Sequence, residues 1–294
     1  MAIKDSFLSY LQFERNYSKE TLLNYGADIE QFQKFIIEEK GSFDPIKVES
    51  DEVREWIVFL MEKKYNSTSV NRKISSLRSF YKYLLRKGLV VVDPLSKVVG
   101  PKKKKPIPSF VKESQMNKLL DDIDFGKGFE GCRDHLIIEM FYATGIRLSE
   151  LINLDDNNID FSASFIKVTG KRNKQRLIPF GDELRFEMQK YVSIRNKTII
   201  EKSDAFFVRK NGVRLYRNLV YLIVKRNLSK VVTIKKRSPH VLRHTFATAM
   251  LNHNADLGSV KEILGHQNLA TTEIYTHTTF EELKKIYKQA HPRA

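Results

Sequence analysis

Apolar positions in the first hundred residues recur every three or four places, the spacing that lines one side of an α-helix. The runs are Phe7, Leu8 and Leu11; Leu22, Ile29, Phe32 and Ile36; Val53, Trp56, Ile57 and Leu60; and Val70, Ile74, Leu77, Tyr81 and Leu84. They predict four amphipathic helices, with Ser18 and Asp51 as N-caps and Gly41 and Gly88 near the stops. Beyond residue 110 helical spacing returns around 114–121, 131–143, 148–154, 182–200, 217–229, 239–253, 257–264 and 280–289. One stretch differs. "NIDFSASFIKVTGKRNKQRLIPF" carries β-formers on both sides of Gly170–Asn173, so residues 158–180 are expected to form a small antiparallel meander with a hairpin turn near Lys171.

Between the two helical regions lies "PLSKVVGPKKKKPIPSF", where prolines 94, 101, 106 and 108 frustrate regular structure around four lysines. The pattern reads as a linker, and 294 residues exceed what one hydrophobic core usually organises. The expected fold class is mainly α in two domains: an N-terminal helical bundle over 1–100, a basic proline-containing linker over 101–110, and a second domain over 111–294 with a small antiparallel sheet.

Charge narrows the partners. Lys and Arg outnumber Asp and Glu by 51 to 35, a formal net charge of +16, which attracts a polyanion. A membrane is the competing anion, but no apolar run reaches the roughly 18 residues of a spanning helix, and Met1–Asp5 opens no signal peptide. A cytoplasmic location is expected. Cys132 is the only cysteine, so there is neither an internal disulfide nor a cysteine cluster for zinc. The last N-terminal helix keeps Arg72, Ser75, Ser76, Ser79, Tyr83 and Arg86 off its apolar stripe, a candidate DNA-facing surface or an ordinary solvated one. Lys102, Lys103, Lys104 and Lys105 could cross a phosphate backbone, act as a nuclear address or simply be solvated.

Candidate chemistry concentrates in "SPHVLRHTFATAM", residues 238–250. Ser238 reads as the N-cap and Pro239 as the first helical residue. Leu242, Phe246, Ala249 and Met250 then share a buried side, leaving His240, Arg243 and His244 toward a helix N-terminus that favours anions. A zinc helix is disfavoured, because no Glu completes HExxH and Arg243 would repel a dication. "GKGFEGCR" at 126–133 has Cys132 and Arg133 where a P-loop needs Lys and Ser or Thr. Arg147 comes just after an expected helix stop at Gly145, with Ser149 and Glu150 opening the next helix. Gly265 closes another helix just before His266, Tyr275 lies nine residues later, and Lys171 and Arg172 crown the hairpin.

The order Arg147, Lys171, His240-x-x-Arg243, His266, Tyr275, carried by "ATGIRLSEL", "HVLRHTFAT", "ILGH" and "TTEIYTH", resembles the active-site signature of the tyrosine recombinases, the phage-integrase family. The closing "HPRA" and the length resemble its XerC/XerD branch. The resemblance covers nearly the whole chain, more by pattern than by motif in the first hundred residues. Ala249 and Gly258 depart from Xer usage at non-catalytic positions, which bears on partner choice.

The resemblance implies a SAM-like core-binding bundle and an integrase-like catalytic domain acting on double-stranded DNA at a specific core site. Tyr275 would be the nucleophile of a 3′-phosphotyrosyl intermediate, His240 its proton acceptor, and Lys171 the general acid. Arg147, Arg243 and His266 would neutralise the phosphate, Glu150 would orient Arg147, and His244 would be structural or supporting. No cofactor and no metal would be needed. It also implies a tetramer on two DNA sites, with or without a second Xer-type subunit, an FtsK-type DNA translocase as a candidate activator, and chromosome dimer resolution as the task. Residues 280–290, amphipathic through Leu283, Ile286 and Tyr287, would dock on a neighbouring protomer or pack on their own domain. A mobile-element integrase, a type IB topoisomerase and a non-enzymatic DNA-binding protein are the alternatives.

Overall fold

The computed structural model describes residues 3–103, 109–170, 174–201, 203–265 and 277–294, and the chain forms two compact units, Met1–Pro106 and Ile107–Ala294.

In the first unit, α1 (Ile3–Phe13), α2 (Lys19–Lys40), α3 (Ser50–Glu62) and α4 (Ser67–Arg86) bury the predicted stripes. Phe7, Phe32, Val53, Trp56, Leu60, Val70, Leu77, Tyr81 and Leu84 are fully enclosed, while Leu8, Leu22 and Ile57 pack at the margin. Ser18 caps α2 by accepting from the Thr21 amide, and Gly41 ends it in the left-handed conformation. Asp51 is not the cap of α3. Glu49 is, because the Glu52 carboxylate reaches back to accept from the Glu49 amide at 2.6 Å, the reciprocal bond of a capping box. The proline-containing segment also starts later than its composition suggests. Val90, Leu95 and Val98 are buried in this unit's core, Arg78 donates to Val98 O, and the Asn71 amide donates to Pro101 O at 2.8 Å. Prolines break periodicity without preventing apolar side chains from packing.

The second unit is built around α6 (Gly128–Thr144), buried along nearly its whole length and packed against α8 (Asp182–Thr198), α9 (Arg217–Leu228) and α10 (Pro239–Asn252). It is preceded by α5 (Glu113–Asn117) and a π-helical turn, Lys118–Asp122. A short α7 (Leu148–Ile152) leads into the antiparallel sheet β1 (Ile159–Asp160), β2 (Phe165–Thr169) and β3 (Gln175–Pro179), in the order β1-β2-β3. Ile166 pairs with Ile178 and Thr169 with Gln175, and the alternation sends Ile166, Val168 and Ile178 inward. The helices α11 (Leu257–Leu264) and α12 (His277–Ala290) complete the unit. Mainly helical with one small antiparallel sheet, the architecture has the expected class.

The C-terminal helix packs in cis. Leu283, Tyr287 and Ala290 are buried in the unit's own core, and Ile286 packs against it. The His291 ring stacks on Tyr287 with centroids 5.3 Å apart, and its Nε2 lies 3.1 Å from Tyr142 O. Arg293 pairs with Asp121 and Glu183. The apolar stripe offered for docking on another protomer is therefore spent on this chain's own helices.

Candidate active site

Two helix ends and one helix start converge on a buried cluster of arginines. α6 stops at Gly145, which lies at φ +58°, and a Cβ there would come within 2.5 Å of the Phe246 ring and 2.7 Å of Leu264. Only glycine satisfies both the left-handed turn and that close approach. The chain reverses into Arg147, the N-cap of α7, whose amide donates to Glu150 Oε2 at 2.8 Å. Arg147 Nη1 donates to Glu150 Oε1 at 2.7 Å and Nη2 to Gly265 O at 2.6 Å. Arg243, from α10, donates through Nη1 to Gly145 O and through Nη2 to Leu264 O, each at 2.5 Å. Two cations thus sit on the carbonyl ends of α6 and α11, where the helix macrodipole is negative.

Arg176 completes the cluster. Its β3 position puts it on the inward face with Ile178, and it is 5% exposed. It grips Glu150 with both terminal nitrogens, at 2.6 and 2.9 Å, and donates through Nε to Ile263 O. Burial alone would raise the Glu150 pKa, but the hydrogen bonds and charge of Arg176, with the Arg147 amide and guanidinium, bring it down to about 2. Arg243 is lowered from its ordinary value by burial and then by the Arg147 and Arg176 charges. Three guanidiniums against one carboxylate leave two positive charges in excess. Among the described residues Arg147 and Arg243 each spend two of their five N–H donors, and the Arg147 side chain keeps 29% of its surface exposed. Donors of this kind can hold an anion through two or more of its oxygens.

Of the other predicted residues, Ser238 occupies the N-cap position of α10 with Pro239 behind it, although its side chain makes no capping bond. Leu242, Phe246, Ala249 and Met250 are buried, and His240 and His244 are exposed. Partial desolvation, then the charges of His244, Arg243 and Arg217, hold the His240 pKa below the usual imidazole value, which keeps the ring neutral at neutral pH. Lys171, Arg172, His266 and Tyr275 lie outside the described residues. Their neighbours do not: a methyl on Gly170 would lie 3.6 Å from Glu150 Oε1 and 3.7 Å from Arg147 Nη1, and Gly265 O itself holds Arg147.

The expected DNA-facing side of α4 needs correction. Ser76 is fully buried and donates to Asp28 Oδ2 at 2.7 Å, and Tyr83 is buried too. Arg72 spans the same carboxylate with both terminal nitrogens, at 2.5 and 2.9 Å. A buried Asp must be neutralised, and these side chains do it. Arg86 lies against the Tyr10 ring and donates to its hydroxyl at 3.0 Å. Ser75 is exposed and Ser79 half-buried; Lys102 and Lys103 are exposed, whereas Lys104 and Lys105 lie outside the described residues.

Sequence reading missed Asp28 and Arg176. For Arg176 a signal existed, since it lies two places from Ile178 on an alternating strand. Asp28 lies in the apolar run of α2 without a local partner.

No helix among the described residues is long and apolar enough to cross a membrane. Comparison with known proteins matches residues 109–282 to the phage integrase family and residues 5–88 to the phage integrase N-terminal SAM-like domain. Tyrosine recombinase XerC of Chlorobaculum parvum is 40% identical, with 99% of this chain and 94% of that protein covered. Its namesake from Staphylococcus saprophyticus is 38% identical, with 99% and 98% covered. The crystal structure of XerH site-specific recombinase bound to palindromic difH substrate shares the fold, with a TM-score of 0.73 at 20% identity over 96% of this chain and 83% of that one. An integrase fold, an arginine pair set for an anion and full-length Xer relatives agree: the chain belongs to the phage integrase family, and its activity is that of an Xer-type tyrosine recombinase, which breaks and rejoins DNA.

Proposed function

We propose that the chain cleaves double-stranded DNA at a specific core site by attack of the Tyr275 phenolic oxygen on a backbone phosphorus, forming a 3′-phosphotyrosyl bond and releasing a 5′ hydroxyl. The observation that carries this reading is the anchoring of Arg147 and Arg243 on the carbonyls of Gly145, Leu264 and Gly265, with donors left over. Negative charge grows on the non-bridging oxygens as phosphorus becomes five-coordinate, and two fixed guanidinium forks meet it without reorganising. His266 adds a hydrogen bond. The phenol titrates near 10 when free, so its proton passes to neutral His240 as the P–O bond forms. The departing 5′ oxygen takes a proton from Lys171, next in the chain after Gly170 beside Arg147. Each bond broken is replaced by one of similar energy, so rejoining to another strand needs no nucleotide cofactor.

A tetramer on two core sites, with a second Xer-type subunit or with four copies of this chain, would exchange the strands. Resolution of chromosome dimers in the cytoplasm, switched on by an FtsK-type translocase, is the task we assign to it. The deciding experiment uses a suicide DNA substrate, nicked so that the cleaved end diffuses away. Wild type should accumulate a covalent adduct that disappears in Tyr275→Phe while DNA binding persists. An undiminished adduct in that variant would remove Tyr275 from the role. Lys171→Ala should slow adduct formation by about 10²- to 10⁴-fold, and a 5′ leaving group that needs no proton should restore most of the loss.

A further inference from the structure

Helix α6 carries a second cluster of titratable groups that the reaction does not use. His135 and Glu139 are one turn apart, and both face Glu187 of α8. His135 Nδ1 lies 3.7 Å from Glu139 Oε2 and 3.6 Å from Glu187 Oε2, and the three donor atoms fall within 4.8 Å of one another. Glu139 is wholly buried, and among the described residues neither of its oxygens has a hydrogen-bond partner. Buried polar groups nearly always find a partner in protein, water or an ion, so this one demands an account.

The orientation of His135 supplies part of it. Its Nε2 is 3.0 Å from Leu120 O, and only an N–H can face a carbonyl at that distance. In the neutral ring Nδ1 then carries the lone pair and faces two carboxylates. A histidine whose far nitrogen donates to a backbone carbonyl has the usual orientation of a metal-bound imidazole. A proton is the rival occupant, but the separations of 3.6 and 3.7 Å exceed N–H···O hydrogen bonds. They lie close to the edge, about 3.3 Å, of a tetrahedron with bonds of 2.0–2.1 Å. Lys190 donates to both oxygens of Glu187, at 3.0 and 3.1 Å, and this half-exposed side chain would swing aside for an ion, whereas Arg293 pairs with Asp121 and Glu183.

We propose that His135, Glu139 and Glu187 bind a divalent ion of the zinc class, which ties α6 to α8. One imidazole and two carboxylates suit such an ion and leave a fourth position for water. The His135 and Glu187 side chains keep 20% and 14% of their surface exposed, which gives the ion a way in. The role is structural, since the ion would touch none of the residues assigned to strand cleavage.

The test uses the full chain without a histidine tag, stripped with a chelator, dialysed and titrated with zinc chloride against a chromophoric competitor. Wild type should take up one ion at this site, and its thermal midpoint should rise with zinc and fall back with chelator. Glu139→Gln and His135→Gln should each weaken uptake by more than the roughly 10- to 100-fold that loss of even an outer-shell partner costs. Should Glu139→Gln not fold, the partly exposed Glu187→Gln gives the same comparison. Zinc bound equally by wild type and these variants, or no zinc bound by wild type, would overturn the proposal. So would a Glu139→Gln protein that is more stable than wild type in saturating zinc, since a proton would then suffice.

Discussion

Asp28 in the first unit and Glu150 in the second are both buried under basic side chains, and the two clusters use their cations in opposite ways. Asp28 receives Arg72, Lys73 and Ser76, with two donors on each oxygen, and Arg72 commits both terminal nitrogens to it. Glu150 also receives two donors per oxygen, but the two-pronged grip comes from buried Arg176. Arg147 is thereby turned so that one nitrogen meets the carboxylate and the other a backbone carbonyl. Arg243 meets carbonyls alone. A carboxylate cancels a guanidinium's charge, whereas a carbonyl fixes its direction and leaves the charge in place. The first cluster is a closed structural joint; in the second the arginines keep charge and unused donors, which is what the proposed phosphate contact requires.

The largest effects should fall on stability, and the two clusters should then part in their effect on cleavage. Asp28→Asn and Glu150→Gln each leave buried cations unbalanced and should cost about 3–5 kcal/mol in urea unfolding. Glu150 titrates near 2 when folded and near 4.5 when unfolded, so its contribution, about 3 kcal/mol, is complete above pH 4.5 and fades as pH falls toward 2. At equal folded fraction, Asp28→Asn should cleave a core site normally and Glu150→Gln should not. A tenfold cleavage defect in the former would break the contrast.

Next come the forks themselves. Arg147→Lys and Arg243→Lys keep the charge and lose the planar donor pair, which should slow single-turnover cleavage by about 10²- to 10³-fold. Arg72→Lys, read the same way, should leave it unchanged. Arg176→Lys can hold only one oxygen of Glu150, so Arg147 drifts. A loss of about 10- to 100-fold in cleavage is expected, with DNA affinity preserved, as for a misplaced catalytic group. Unaltered cleavage would show that Arg147 is fixed by Gly265 O alone.

Range decides which of these features were legible in the sequence. The α10 start at Ser238–Pro239, the stops at Gly41, Gly145 and Gly265, and the α4 stripe are local chemistry, visible in a few adjacent letters. Asp28 finds its partners 44 to 48 positions away and Arg176 reaches Glu150 across 26, so neither pairing leaves a periodic trace. The cap of α3 slipped from Asp51 to Glu49 because either acidic residue suits a helix start, and only the reciprocal Glu52 bond decides between them. Leu283 and Tyr287 read equally well as a docking stripe or as core, since amphipathicity does not name the surface it covers.

The smallest effect is also the sharpest, because it concerns two adjacent identical residues. Ser75 and Ser76 both looked like short polar groups facing DNA, yet a helix turns about 100° between neighbours. Ser75 returns its hydroxyl to Asn71 O on the exposed side, while Ser76 is sealed against Asp28. Ser76→Ala removes a hydrogen bond to a buried carboxylate and should cost about 1.5–3 kcal/mol. Ser75→Ala should change stability by less than about 0.5 kcal/mol. If DNA affinity, measured at a salt concentration where both variants are fully folded, falls only for Ser75→Ala, α4 contacts DNA through its exposed side. If it falls equally for both, the Asp28 joint helps to shape the DNA-facing surface, and the division between a closed and a ready cluster would have to be redrawn.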